Sequence, residues 1–367
     1  MARHVIKLGS GITASDDGAL RADVLAAICD EVAARRAAGD DVVVVSSGAI
    51  VRGLDTMGIE GRPSAIEDLQ AASAIGQGRL FRFYDELLAA RGVTAAQVLL
   101  TFFDLSHRTH YLNARQALRR LLDWGVVPII NENDTTATDE ITFGDNDFLA
   151  AQVAILVEAD RLLLLTGVDG VYTADPRTDP DAAIVREITD FEAFEATAAI
   201  GSSTSTLGSG GMRSKVVAAE MATAAGIPAA IVNGLRHDAL GRVLAGATDE
   251  GTHFPARSLG ISSFKLWLRY AKPAHGRLLV DAGAARALRE GGTSLLPVGV
   301  VGVQGGFAAG DAVEIWDDRE TTLVGKGIAN LGAAELRRVQ GLQSAQLREV
   351  LPRAAEEAVH RDYFVLA

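Results

Sequence analysis

The chain has one cysteine, Cys29, in 367 residues. A single thiol excludes an internal disulfide framework and suits a reducing compartment, so a cytoplasmic protein is expected. Cys29 lies in an Ala/Leu-rich helical stretch, where a buried apolar thiol is the ordinary outcome. Aromatics make up only 5% of the residues while Ala, Val, Leu and Gly abound, a composition that favours thin, tightly packed helix–sheet layers. No apolar run approaches the roughly 18 residues that a membrane span needs, and no apolar leader follows the start. There is no excess of basic charge: Lys and Arg number 35 against 47 Asp and Glu, a net −12. That balance argues against a general nucleic-acid or anionic-membrane binder, which needs a cationic face. No repeat or low-complexity tract stands out.

What is present is alternation. Apolar runs at "HVIKLGS", "DVVVVSSGAI", "AAQVLLT" (95–101), "GVVPIINEND" (125–134), "DRLLLLTGVDG" (160–170) and "GIPAAIVNG" (226–234) are separated by helical patterns at 19–38, 65–91, 109–123, 147–158 and 212–225. Strands so uniformly apolar are those buried on both faces of a parallel sheet. Alternation with helices predicts a doubly wound α/β domain whose ligands gather at the C-terminal ends of the strands. Texture changes around 246–274, and beyond it short strands, a helix and closely spaced glycine turns predict a small β-rich, barrel-like module. The expected division is 1–258 for the α/β domain, 259–273 for a linker and 274–362 for the module. From Pro273 onward 10 Lys and Arg face 12 Asp and Glu, so the module is not basic.

Three segments concentrate polar chemistry. "LGSGGMRSK" (207–215) is glycine-rich and ends in lysine, but Ser214 precedes Lys215 and Val216 follows, which excludes a Walker A loop. Gly210 and Gly211 can still let backbone N–H groups converge on an anion at a helix start, with Lys215 in its first turn. "IKLGSG" (6–11) puts Lys7 near the end of a buried strand, an expensive place for an ammonium unless it faces an anion. "NENDTTATDEITFGDND" (131–147) crowds Asp134, Asp139, Glu140, Asp145 and Asp147 with Asn131, Asn133 and Asn146. Its spacing does not fit an EF-hand loop. Some of these groups suit an ammonium-bearing substrate and others suit orienting the lysines. Ser46 and Ser47 lack the flanking glycines of a nucleophile elbow, and His107 and His110 have no third ligand nearby to make a metal set.

Taken in order, "KLGS", "VSSGAI", "AIGQGRL", "VPIINENDT", "FGDND", "LLLLTGVDGVYTADPR", "LGSGGMRSK" and "DAGAARAL…GTSLLPVGV" resemble the glutamate 5-kinases, members of the amino-acid kinase family that carry a C-terminal PUA domain. The likeness runs from about residue 3 to about residue 362. It implies the amino-acid kinase fold with a PUA-like tail, and ATP-dependent phosphorylation of the γ-carboxylate of L-glutamate, the first step of proline biosynthesis. By the same resemblance Lys7 and Lys215 flank the travelling phosphoryl group, and Asp147, with Asp145 close by, orients them. Ser47, Asp134 and Asn146 match glutamate-binding positions. The ATP site is expected at Lys7, Thr166 and Gly167, and at Ser209, Gly210, Gly211, Met212, Arg213, Ser214 and Lys215. Mg²⁺ is expected on the nucleotide's phosphates, with no protein metal ligand set. The resemblance also implies feedback inhibition by proline, a homo-oligomer, and hand-off of the acyl phosphate to glutamyl phosphate reductase. Two departures stand out: Gly167, where relatives often have aspartate, and Leu69, where they often have lysine. Two rival readings are another kinase of the same fold, acting on aspartate, N-acetylglutamate, carbamate or uridylate, and an RNA-binding role for the tail, against which its acidic balance argues.

Overall fold

A computed structural model describes residues 1–15, 18–101, 104–105, 108–136, 145–191, 194, 211–257, 265, 268–269, 274–351 and 355–367. The chain divides into two compact units, Met1–Gly260 and Ile261–Ala367.

The first unit is built on a seven-stranded sheet. Its strands are β1 (Arg3–Leu8), β2 (Asp41–Val45), β3 (Ala95–Leu100), β4 (Val127–Glu132), β5 (Arg161–Thr166), β8 (Ala229–Asn233) and β9 (Thr252–Phe254), in the order β3-β4-β2-β1-β5-β8-β9. All neighbours run parallel except β9, which is antiparallel to β8. Between β5 and β8 a short hairpin pairs β6 (Val171–Tyr172) with β7 (Ile184–Val185). The central strands are apolar throughout because both faces are covered. The edge strand β3 reads as apolar too, yet several of its residues are half-exposed or exposed, since an edge lacks one neighbour.

The helices of this unit are α1 (Ser10–Thr13), α2 (Ala22–Ala37), α3 (Ala49–Met57), α4 (Ile66–Ala89), α5 (Arg108–Asp123), α6 (Asp145–Leu156), α7 (Met212–Ala224) and α8 (Ala239–Leu244). Ile6 and Leu8 of β1 and Val42 and Val44 of β2 pack with Leu25 and Ile28 of α2 and with Leu80, Tyr84 and Leu88 of α4. Successive strand residues point to opposite faces, so Val5 and Lys7 take the other side, where α6 packs against β1 and α7 packs against α6. The two-residue period of β1 thus sends Lys7 toward two helices while its neighbours fill the main core.

Helix α3 is a difference from the sequence expectation, whose helical patterns did not include residues 49–57. Gly48 starts the helix at φ +104, a conformation that favours glycine. Gly53 and Gly76 then let α3 and α4 touch backbone to backbone. A Cβ on Gly53 would fall 1.8 Å from the Ala72 carbonyl oxygen, and one on Gly76 would fall 1.9 Å from that of Ala49.

The second unit holds a five-stranded sheet in the order β11-β10-β12-β13-β14, from β10 (Ala274–Val280), β11 (Val300–Gly305), β12 (Ala312–Asp317), β13 (Leu323–Ala329) and β14 (Val359–Leu366). Its pairs are antiparallel except β10 with β12. Helices α9 (Ala282–Gly291), α10 (Ala333–Val339) and α11 (Ser344–Val350) accompany it, and Leu278, Ile315, Leu336 and Phe364 share its core.

Candidate active site

At the C-terminal end of β1 the buried Lys7 ammonium sits 2.5 Å from Oδ1 of Asp147, the third residue of α6. Lys215, in the first turn of α7, donates from Nζ to Asp147 Oδ2 at 3.1 Å, and Ser214 donates from Oγ to the same oxygen at 2.7 Å. All three charged side chains are nearly shut off from water: 4% exposed for Lys7, 7% for Lys215 and none for Asp147. Burial alone pushes the Asp147 carboxyl up, but the two ammonium groups and the hydrogen bonds from Lys7 and Ser214 outweigh it and hold the carboxyl down at about 2. The carboxylate therefore stays ionised at neutral pH. Among the described residues two cations share this one carboxylate, an arrangement that favours an incoming anion.

Backbone geometry adds to this. Gly211 caps α7 in an extended conformation with no side-chain cap, and Ser214 Oγ turns back to the Gly211 carbonyl at 2.8 Å. Among the described residues no side chain caps that first turn, and the helix dipole there favours an anion. Met212 and Arg213 belong to the same turn. Thr166 ends β5 opposite Asn233 of β8, and Gly167 follows it at the surface.

A second polar group lies beyond β2 and β4. Ser47 follows β2 and is buried, as is Asp134, two residues beyond β4. Ser73 of α4 donates to Asp134 Oδ2 at 2.6 Å. One turn further along α4, Gln77 accepts from Asn131 Nδ2 through Oε1 at 2.5 Å. Asn146, next to Asp147 on α6, accepts from the Glu132 backbone N–H through Oδ1 at 3.3 Å. Burial raises the Asp134 carboxyl, while the Ser73 hydrogen bond and the charge of Arg62 pull it the other way without prevailing. Among the described residues this carboxylate forms no ion pair, the condition in which a substrate ammonium is welcome.

A family model for the amino acid kinase family matches residues 2–233, and one for the PUA domain matches residues 276–351. The glutamate 5-kinase of Meiothermus ruber is 44% identical over 366 residues, covering 100% of this chain and 96% of its own. That of Chromohalobacter salexigens is 45% identical over 366 residues, covering 99% and 96%. The chain belongs to the glutamate 5-kinases of the amino acid kinase family. A solved UMP kinase from Bacillus anthracis aligns more loosely, at 21% identity and a TM-score of 0.48, over 70% of this chain and 97% of its own.

Of the family positions named from sequence, Lys7, Asp147, Ser214 and Lys215 meet at one point, with Gly211, Met212 and Arg213 on the same helix turn. Asn146 and Asp134 both lie beyond the end of β4, and Asn146 adjoins Asp147 in sequence. Ser209 and Gly210 lie outside the described residues, as do Asp139, Glu140 and the side chain of Asp145. The sequence reading did not single out Ser73 or Gln77 for the site, and it named Asn131 only within the polar run. A signal existed: Ser73 and Gln77 are four residues apart, so they share one face of α4, and both are buried. Leu69 occupies the same face one turn earlier, where it packs with Ile50 and Ile66. Among the described residues, no cluster of three or more His, Cys, Asp or Glu side chains gathers to hold a metal ion.

Proposed function

We propose that this chain transfers the γ-phosphoryl group of ATP to the γ-carboxylate of L-glutamate, giving L-glutamyl 5-phosphate for proline biosynthesis. The single observation that carries the mechanism is the shared salt bridge, in which Lys7 and Lys215 are held on either oxygen of the buried Asp147.

The chemistry asks for little else. A γ-carboxylate is already ionised at neutral pH, so no general base is required. Two anions must be brought into line and their charge balanced as the phosphoryl group passes between them. Lys7 and Lys215 would supply that balance from opposite sides, and Asp147 would fix where their ammonium groups point. The open first turn of α7 would receive the nucleotide's phosphates, with Thr166 and Gly167 on the nucleoside side. Ser47, Asp134 and Asn146 would hold glutamate, Asp134 taking its ammonium. Ser73 would act as a positioning residue for Asp134. The donor set around the lysines is cationic and fits a polyphosphate rather than a bare metal, which supports a reading in which Mg²⁺ would be held mainly through the phosphates. Bound there, Mg²⁺ offsets the charge of the nucleotide.

Further parts of the reading follow from the pathway and the resemblance. Proline, an amino acid like glutamate, would inhibit at or near the glutamate site. The chain would work in the cytoplasm as a homo-oligomer and pass its unstable acyl phosphate to glutamyl phosphate reductase. The module beyond residue 274 would serve structure or assembly, since its acidic balance disfavours nucleic acid.

Trapping the acyl phosphate with hydroxylamine tests the function. Hydroxamate formation is expected to require both ATP and glutamate, to fall when proline is added, and to be weak with aspartate or N-acetylglutamate. Hydroxamate from another acceptor but not from glutamate would refute the assignment.

A further inference from the structure

The sequence sets two hydroxyls side by side just after β2, and the glutamate site uses only Ser47. Ser46 is buried too, yet it faces another partner. Its Oγ lies 2.9 Å from the hydroxyl of Tyr84, far along α4.

Tyr84 is an odd side chain for its place. It belongs to the main core with Leu80, Leu88 and Val44, where a phenyl ring would fill the same space without a polar tip. A hydroxyl in apolar surroundings is costly unless it is hydrogen-bonded, so its one partner matters. Burial pushes the Tyr84 hydroxyl well above its ordinary pKa, against a smaller pull from Ser46, so it keeps its proton.

The direction of the bond follows from counting protons. Ser46 Oγ donates to the Ser47 carbonyl at 3.2 Å, and a serine hydroxyl has one proton to give. Tyr84 is therefore the donor to Ser46. Donation runs from α4 through Ser46 to the peptide that joins Ser47 to Gly48. Two further contacts pin this turn. The Ser46 N–H donates to the Ile130 carbonyl of β4 at 2.8 Å, next to Asn131. Gly48 turns at φ +104, and a Cβ there would fall 2.5 Å from Thr13 Oγ1, so α1 hems the turn in. Tyr84 follows Ser73 and Gln77 along one face of α4, and each of the three meets a residue at or just beyond the end of β2 or β4.

We propose that Tyr84 is a positioning residue for the amino-acid substrate: its hydroxyl, acting through Ser46, fixes the turn that presents Ser47. This rests on the reading that Ser47 holds glutamate. Neither Tyr84 nor Ser46 belongs to the group formed by Lys7, Asp147 and Lys215. The relay should therefore govern how tightly glutamate is held, and not how fast the phosphoryl group passes.

The test is steady-state hydroxamate formation by the full chain carrying Tyr84→Phe, Ser46→Ala or both. Tyr84→Phe keeps the ring that fills the core, so its melting temperature should stay near that of the wild type. Its KM for glutamate is expected to rise about fivefold, the worth of one neutral hydrogen bond, with kcat and the KM for ATP unchanged. Ser46→Ala should raise the glutamate KM at least as much, and it repeats the test should Tyr84→Phe not fold. The double variant should go no further than Ser46→Ala, because both changes break one relay. A wild-type glutamate KM in Tyr84→Phe would overturn the proposal. So would a double-variant KM that multiplies the two single effects, or equal rises in the KM values for glutamate and ATP. A Ser47→Ala control separates the two levels. If it raises the glutamate KM while Tyr84→Phe does not, only this proposal fails. If Ser47→Ala leaves that KM at the wild-type value, the reading of Ser47 falls and takes this proposal with it.

Discussion

Lys7 and Asp147 meet at 2.5 Å, one at the end of a central strand and the other in the first turn of a helix on that strand's second face. A buried ion pair of this kind is weak evidence for stability, because desolvating both partners costs about as much as their attraction returns. Its value here is placement, since Asp147 also holds Lys215 and sets the distance between two cations.

Replacing Asp147 separates these roles. Asp147→Asn keeps the shape but removes the carboxylate charge that two buried ammonium groups share, a change that costs roughly 3–5 kcal/mol. We expect a marked fall in melting temperature and a partial recovery when ATP is added, as its phosphates supply the missing charge. A melting temperature unchanged from the wild type would show that Asp147 does not carry the charge balance.

Asp147 also sets what acid can do. Its carboxyl is held down at about 2 against an ordinary 3.8, so its stabilising contribution is complete above 3.8 and is lost as pH falls through about 2. Loss of activity on mild acidification must come from another group.

Asp134 is the candidate for that group. Burial raises its carboxyl, so ionising it costs stability above the raised value, and the cost fades as pH falls toward 3.8. Wild-type protein should therefore gain stability relative to Asp134→Asn as pH is lowered through this window. Over the same range the wild-type KM for glutamate should rise, while that of Asp134→Asn should be high and flat. Measuring KM and melting temperature from neutral to mildly acid pH checks both signs, and parallel profiles for the two proteins would contradict the assignment.

Ser73 offers a gentler probe. Ser73→Ala removes the donor to Asp134 Oδ2 and should raise the glutamate KM about tenfold with little change in the ATP KM. Equal changes in both constants would point to a general packing defect instead.

The α3–α4 contact predicts a stability effect with no direct chemistry. Gly76→Ala places a methyl group 1.9 Å from the Ala49 carbonyl oxygen and 2.5 Å from the Gly53 nitrogen, so the helices must part. A loss of about 3 kcal/mol or more is expected in urea unfolding. A near-neutral result would mean that the two helices are less closely apposed.

Much of the parallel sheet was legible because its strands are continuous apolar runs, as "VVVV" and "LLLL" show. Lys7 was legible for the same reason, since a lone cation ending such a run needs a partner. Helix α3 was not, because Gly48 and Gly53 mark turns by local propensity, and only the partner helix α4 explains why they stand inside a helix boundary and a helix. Edge exposure of β3 is likewise invisible in "AAQVLL", as strand order is a property of the whole sheet. Ser73 and Gln77 look like ordinary polar residues of a long helix until Asp134 and Asn131 arrive from distant parts of the chain.

The central claim is that Lys7 and Lys215 jointly balance charge on one travelling phosphoryl group. The most direct measurement is the initial rate of ATP-dependent hydroxamate formation by folded Lys215→Ala at saturating glutamate. Losing a donor of this kind should slow turnover by about 10²–10³-fold or more. Turnover close to that of the wild type would contradict the account.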